Sequence, residues 1–513
     1  MLFKRSYIIL TIIIIWFVLN EVLPAIDMPE IWGDEALSSI YVLKLIKNIP
    51  TPWDIVFLGK HFPTTHDGKH GCTECYLSAP FIFFIRANKD GLRIESVFLG
   101  ILILILVYYF GCKFFNPIVG ILSALFLSIN WPFLIEDLKR SGLSGHWIPI
   151  FTMLPLLFFL KYRRSRKNIY FYLSMFLLAL GYQTKGWFIW FILSLFACSF
   201  LYINYNKIQI KIVAIGLIFM LLGLVPILYC YYKNVFHIFV LNNIVITNYG
   251  GINNLEFIKN FLTRFNQLNL LLVGPYRMNA TFHKFPIFFF WACVTLLICI
   301  IYFKACMRLS KRRIIFILLL LFLTLVFSSF TLTGLASGHL FILFPYVQII
   351  MAASLFELFN CSLHKIVKVF LILLVGTFIG LNVVNCIEKY EDLKIEKERK
   401  NNCSLKTVTK WLMKNKVLNI VGFNPEVLGF EFYSDLNIKT NIIYFKYDNL
   451  FFEKLEMKMK SVSSDDVFIF EDREYKEYEI FKFLSERFNK KIVERKKFLW
   501  SDGQIRFTLC CLQ

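Results

Sequence analysis

The sequence predicts a polytopic α-helical membrane protein of about eleven transmembrane helices, followed by a small C-terminal α/β extracytoplasmic domain. Three observations carry that prediction. Hydrophobic residues make up 57% of the 513-residue chain and charged residues only 18%. Apolar stretches long enough to cross a hydrocarbon core of about 30 Å recur through its first three quarters. Beyond residue 387 the pattern changes abruptly to charged helical stretches alternating with short β-branched or aromatic runs.

The candidate spans, in order, are residues 6–25, 94–112, 117–135, 146–160, 168–184, 186–204, 210–231, 286–303, 313–333, 339–358 and 366–386. Cations fix their orientation. Lys4 and Arg5, the run KYRRSRK at 161–167, Lys207 and Lys211, and the cluster Lys304, Arg308, Lys311, Arg312 and Arg313 all fall on one side if the spans alternate. The other side receives the acid-bearing segment 26–93, the Glu136-Asp137 loop, the segment 232–285 and, because eleven is odd, the tail from 387. The positive-inside rule then makes the N-terminus cytoplasmic and the tail extracytoplasmic, as in a multi-pass protein of a bacterial inner membrane. The first span lacks a small-residue cleavage site and reads as retained. The net charge of +21 is mostly an orientation signal, and no compact basic domain suggests a nucleic-acid surface.

The tail divides into strand-like runs (VLNIVGF, TNIIYF, DVFIFED, RFTLCCL) and helical ones (SLKTVTKWLMKNK, EYKEYEIFKFLSERFNKK). No Gly-rich phosphate loop follows any of its strands, so it reads as an accessory or acceptor-side domain. The expected division is therefore 1–386 for the membrane-embedded catalytic part and 387–513 for the soluble domain.

Most of the 13 cysteines lie inside spans and act as small hydrophobes. Cys72 and Cys75 differ, because they share the first external loop with His61, His66 and His70. A local disulfide, two unpaired thiols and a zinc shell are all open to them.

The most informative residues are Asp34 and Glu35, adjacent acids in IWGDEALSS just beyond the first span. A carboxylate there can serve as a base, as a metal ligand, or as an N-cap of the helix predicted from Glu35. The same loop adds Glu74, Tyr76 and Pro80, then Arg93 at the mouth of the second span. Trp32, Trp53 and Tyr76 stand where a sugar can stack.

The order of these features resembles the GT-C superfamily of membrane glycosyltransferases. The nearest likeness is to family 39, which holds the dolichyl-phosphate-mannose protein mannosyltransferases and the lipid A aminoarabinose transferases. The residues that carry it are GDEA at 33–36, HGCTECYLSAPF at 70–81, Arg93, RSG at 140–142, TKG at 184–186 and GHLFILFPY at 338–346. Some branches place a further Asp before the fourth span, where this chain reads EDLKRSGLSG and leaves Glu136 and Asp137 both open for that role.

The resemblance implies a GT-C-like fold and transfer of a sugar from a polyprenyl-phosphate donor to an acceptor hydroxyl on the extracytoplasmic face. The acceptor is a lipid, a glycan or a protein. It implies Asp34 as the base beside Glu35, with Glu74, Tyr76, Arg93, Arg140, Lys185 and His339 binding substrate and the basic ones holding the leaving phosphate. Arg277 and His283 lie in the other large external loop. A divalent cation held by Asp34 and Glu74 is possible but not required, since a basic clamp can neutralise the phosphate alone.

Plainer roles compete. Lys185 and Arg93 can be snorkelling anchors at span ends, His339 can bond a neighbouring helix, and Glu74 can be an ordinary loop acid. From other classes, a transporter or flippase of polyprenyl-linked lipid and a non-catalytic membrane scaffold are the alternatives. Transporters place ionisable residues at mid-membrane, whereas the charges here lie at span ends.

Overall fold

The computed structural model describes residues 2–22, 33–51, 54–65, 71–85, 89–130, 133, 147–199, 210–244, 256–273, 284–302, 309–330, 337–360, 365–400, 405–422, 434, 436–442, 466–471, 486, 492–499 and 505–512. Helix α1 (Leu2–Trp16) runs into a π-helical turn over Phe17–Val22. A smaller unit, external to the helix bundle, follows: α2 (Gly33–Ile46), the hairpin β1 (Asp54–Phe57) and β2 (Lys60–Pro63), and α3 (Thr73–Ile85). The bundle continues with α4 (Lys89–Phe114), α5 (Pro117–Ser128), α6 (Ile148–Ser165), α7 (Asn168–Thr184) and α8 (Ile189–Ser199). Next come α9 (Ile210–Ile244), α10 (Phe257–Val273), α11 (Phe285–Tyr302) and α12 (Lys311–Ser328). The 3-10 segment Ser337–Leu343 leads into α13 (Phe344–Asn360), then α14 (Lys365–Lys400).

Every one of the eleven expected spans overlaps one of these helices. Among the described residues, five helices are long and apolar enough to cross a membrane on their own. Their burial sorts them: the window Leu340–Asn360 is 94% buried and forms the centre of the bundle, while Ile210–Cys230 is 17% buried and lies at its edge. The core is one continuous aliphatic and aromatic cluster drawn from most of the bundle helices. Glycines let α4 and α5 approach closely, since a Cβ on Gly120 would stand 2.6 Å from the Tyr108 carbonyl oxygen and one on Gly111 2.7 Å from the Gly120 Cα.

Local chemistry sets the helix ends. Asn116 caps α5 by accepting from the Val119 amide at 3.0 Å, and Pro117 fills the first turn, where no N–H is needed. Helix α6 stops at Arg166, whose left-handed conformation turns its amide back to the Tyr162 carbonyl at 2.7 Å.

Two of the cationic stretches, 161–167 and 311–313, meet at one end of the bundle. Arg164 donates to the Lys113 carbonyl at 2.9 Å and Arg313 to the Phe114 carbonyl, satisfying the orphan carbonyls at the C-terminus of α4. Since α4 ends there and α7 and α12 begin there, the start of α4 and the ends of α7 and α12 lie at the opposite end. The external unit packs at that opposite end, with α2 and α3 sharing a core of Ala36, Ile40, Val42, Leu43, Cys75 and Ile82, which Leu92 of α4 joins. Leu436 from the C-terminal segment packs on the same cluster.

Helix α14 runs unbroken to Lys400, past the boundary expected at 386/387, because its polar continuation keeps good helix formers (Glu, Lys, Leu) after the apolar stretch ends. The C-terminal segment then holds α15 (Leu405–Lys414) and strands β3 (Asn419–Gly422), β4 (Lys439–Ile442), β5 (Asp466–Glu471), β6 (Ile492–Leu499) and β7 (Ile505–Leu512). The sheet order is β4-β3-β5-β7-β6, with β3 parallel to β4 and β5, and β7 antiparallel to β5 and β6. Leu405, Val408 and Leu412 form one face of α15 and pack with Ile420, Val467, Ile469, Phe507 and Leu509. The expected helix over EYKEYEIFKFLSERFNKK lies outside the described residues apart from Glu486.

Candidate functional site

A cluster of buried ionisable side chains forms where α3, the start of α4 and the end of α7 meet. Glu74 is 2% exposed, Glu95 1% and Lys185 8%, and Arg93, two residues before Glu95 and on a different face of α4, is also buried at 3%. Charges are rarely buried so completely without a task, because each must be compensated in a low dielectric.

Each is placed by a local feature. Helix α3 starts at Thr73, which puts Glu74 in the first turn, where the helix dipole favours an acid. Lys185 follows α7 in extended conformation (φ −150°, ψ 123°) before a 3-10 turn over Gly186–Phe188, so the chain breaks at that residue and turns its side chain out of the helix line. Arg93 and Glu95 occupy the first turns of α4.

The surroundings are polar. Glu95 Oε1 accepts from the Trp147 indole at 3.3 Å and from the Ser78 hydroxyl, so two neighbouring elements hold it. Gln183 couples α7 to α3 and α9, accepting from the Thr73 hydroxyl at 3.2 Å and donating to the Gly223 carbonyl. Gly71 lies so close that a Cβ there would be 2.8 Å from the Gln183 carbonyl oxygen, which makes glycine the residue that fits. Both carboxylate oxygens of Glu74 are buried and have no hydrogen-bond partner among the described residues.

Electrostatics follow from that burial. Desolvation pushes the Glu74 carboxyl from 4.5 up to about 8; the Lys185 ammonium opposes the rise and the Glu95 carboxylate adds to it. Glu74 is therefore largely protonated near neutral pH. Burial also drives the Tyr76 phenol up, and its hydroxyl donates to the Pro63 carbonyl at 2.6 Å, tying α3 to the hairpin.

Of the residues expected from the sequence, Glu74 and Lys185 come together here, Arg93 is buried nearby in the chain on the first turns of α4, and Tyr76 is partly exposed on α3. Asp34 and Glu35 fall in the first turn of α2, which begins at Gly33, so Asp34 lies within the helix rather than at the cap before Glu35. Their side chains lie outside the described residues, as do Arg140, Glu136, Asp137, Arg277, His283, Trp32 and Trp53. His339 is in the 3-10 segment before α13; its side chain also lies outside the described residues. Cys72 and Cys75 are buried among the apolar side chains shared by α2 and α3.

Sequence reasoning missed Glu95, Ser78, Trp147 and Gln183. It also missed Arg264 on α10, fully buried, which donates to the Ser328 carbonyl at 3.3 Å and to Gln267 Oε1 at 3.0 Å. Asn260 donates to the Ser329 carbonyl at 3.3 Å, so α10 clasps the end of α12. Among the described residues no group of three or more His, Cys, Asp or Glu side chains is arranged to hold a metal ion.

The site can offer an acid held neutral, an ammonium and a second carboxylate around one buried region, a combination suited to an anion next to hydrogen-bonding hydroxyls. The fold is similar to those of solved structures that share only 10–11% of its residues. ArnT from Cupriavidus metallidurans in the apo state superposes with a TM-score of 0.61 at 10% identity, covering 97% of this chain and 97% of that one. The same protein bound to undecaprenyl phosphate gives 0.58 at 11% identity, covering 99% and 97%. The oligosaccharyltransferase of Archaeoglobus fulgidus, in complex with zinc and sulfate, gives 0.57 at 11% identity, covering 97% of this chain and 72% of that one. No family model matches the chain, and no curated protein matches it in sequence.

Proposed function

We propose that this protein is a membrane glycosyltransferase that moves a sugar from a polyprenyl-phosphate donor to an acceptor hydroxyl on the extracytoplasmic face. The observation that carries the reading is the buried group of Glu74, Glu95 and Lys185 at the end of the bundle opposite the arginine-capped end of α4. The fold supports it: the similar ArnT structure holds undecaprenyl phosphate, and the Archaeoglobus enzyme has been captured with a dolichol-phosphate. In orientation, the arginine-capped end faces the cytoplasm and the external unit with the C-terminal domain faces the other side. The charges cluster at helix ends, which favours transfer chemistry over a midplane transport site.

In this reading the acceptor oxygen attacks the anomeric carbon as Asp34 takes the hydroxyl proton, with Glu35 beside it raising the basicity of the pair. The bond from the anomeric carbon to the phosphate oxygen breaks, and its electron pair leaves with the lipid phosphate. Lys185 and Arg93, joined by Arg140 and His339, neutralise that developing charge. Glu74 contributes by staying protonated: a neutral carboxyl leaves the Lys185 charge for the phosphate and can bond a sugar hydroxyl, with Tyr76 at the rim.

The Lys185 ammonium beside Glu74 already supplies positive charge at the site, so holding the leaving phosphate requires no divalent cation. The test is Lys185→Met, which keeps the stem and removes the charge. Donor binding should weaken and transfer slow while the protein stays folded; unchanged donor binding and transfer would return Lys185 to an anchoring role.

A further inference from the structure

The hairpin of the external unit ends in a feature that neither conformation nor solvent favours. Strands β1 and β2 pair Asp54 with Pro63, Val56 with His61 and Phe57 with Lys60, which leaves Leu58 and Gly59 as a two-residue turn. Both have positive φ, 50° and 71°, as a type I′ turn requires. Glycine suits its position. Leucine does not, since its Cβ crowds the backbone in the left-handed region and Asn, Asp or Gly is the usual occupant. Yet Leu58 is 86% exposed, so packing does not explain it, and Val56 and Phe57 beside it are exposed as well.

The tip is rigidly held. Asn48 donates to the Gly59 carbonyl at 3.3 Å and accepts from the His61 amide at 2.8 Å, while His61 Nδ1 bonds Asp54 Oδ2 at 3.1 Å across the hairpin base. Exposed Lys47 and Lys60 flank the apolar tip, and the acid of the hairpin, Asp54, is engaged at the base with His61 and Thr51.

The exposed apolar surface continues along α3. Tyr76, Pro80, Phe83 and Phe84 form one exposed stripe at helical spacing, Tyr76 is bonded to the hairpin at Pro63, and Phe81 packs with its ring tilted against Phe98, centroids 5.5 Å apart. Phe98 belongs with Ile94 and Ile105 to the exposed face of α4, which is long and apolar enough to cross a membrane. The hairpin tip is thus linked through α3 to a lipid-facing surface.

We infer that the tip Val56-Phe57-Leu58 inserts into the outer leaflet of the bilayer, with Lys47 and Lys60 meeting anionic phospholipid headgroups. Apolar side chains ringed by lysines are the composition of interfacial membrane anchors. Such a wedge would fix the external unit, and with it Glu74, at a set height over the membrane.

The experiment places an environment-sensitive fluorophore at Leu58→Cys in the full-length protein, with the other accessible cysteines replaced by serine. The protein is reconstituted in phosphatidylethanolamine–phosphatidylglycerol vesicles and, in parallel, in phosphatidylcholine vesicles. Expected are a blue-shifted emission, shielding from aqueous iodide and quenching by lipid-borne nitroxides, all stronger in the anionic vesicles and weakened by Lys47→Glu with Lys60→Glu. An emission that stays aqueous and iodide-accessible in both would overturn the inference, as would shielding that arises only when a protein acceptor is added. Leu58→Gly supplies a second arm. Glycine accepts the turn, so the variant should unfold at the wild-type temperature or above while a label at Phe57→Cys becomes more accessible to iodide; equal shielding with and without Leu58 counts against the wedge.

Discussion

Glu74→Gln isolates the least compensated group in the site. The Glu74 carboxyl is buried, both its oxygens lack a hydrogen-bond partner among the described residues, and its pKa is pushed from 4.5 to about 8. An unfolded chain releases this proton near 4.5, whereas the folded protein keeps it until about 8. Between those values the native state binds about one more proton than the unfolded state. Stability is therefore fully present below the lower value and falls as pH rises, by about 1.4 kcal/mol per pH unit for a single group. The loss is complete above the higher value and amounts to at most about 5 kcal/mol. Glutamine keeps the shape and does not titrate. In detergent, apparent unfolding temperatures measured from about pH 5 to about pH 9 should decline less steeply for Glu74→Gln, so the gap between variant and wild type widens in the variant's favour as pH rises. Donor binding should show the same group from the other side, with the wild type losing affinity only as pH passes about 8, where the folded protein's carboxyl ionises and competes for Lys185. Parallel stability curves would refute the reasoning, since they would mean that the Glu74 proton is bound equally in both states.

Two further outcomes follow from the fold and its orientation. Gly120→Ala should destabilise the bundle by about 1–3 kcal/mol, the usual cost of overpacking, because its methyl group meets the Tyr108 carbonyl and the Cys112 sulfur, both 2.6 Å away; a wild-type unfolding temperature would show that α4 and α5 can part freely. Reporter fusions in the 161–167 loop and after the C-terminal sheet should report opposite sides of the membrane, and a shared side would reject the orientation.

Much of the helical layout was legible because an apolar run of membrane length and a cation-only loop each have one dominant physical cause. Glu74, Arg93 and Lys185 could be picked out as candidates for a related reason: each stands near a helix end beside a recognisable motif. Glu95 could not, since it lies inside α4 with no flanking signal, and only its bonds to Trp147 and Ser78 reveal it. Gln183 was hidden as an ordinary polar residue, the penultimate one of an apolar helix, its role coming from contacts with Thr73 and Gly223 that are remote in sequence. The hairpin escaped notice because its turn carries Leu-Gly instead of Asn-Gly or Asp-Gly. Strand β6 was missed as well; it is an edge strand, and the charges in IVERKKFL that obscure its strand pattern are those that keep such an edge from pairing with other chains.

The central claim is that the protein breaks the bond between a sugar and a polyprenyl phosphate with Asp34 as base. Its most direct test is mass-spectrometric detection of free polyprenyl phosphate, formed from a polyprenyl-phosphate-sugar by purified protein in nanodiscs with a hydroxyl acceptor present. The account predicts acceptor-dependent release by the wild type and a loss of about 10²–10⁴-fold in Asp34→Asn, the usual worth of a general base, with donor binding retained. Release at the wild-type rate by Asp34→Asn would contradict the assignment of the base. Movement of intact donor across the bilayer without any release would contradict the enzyme itself.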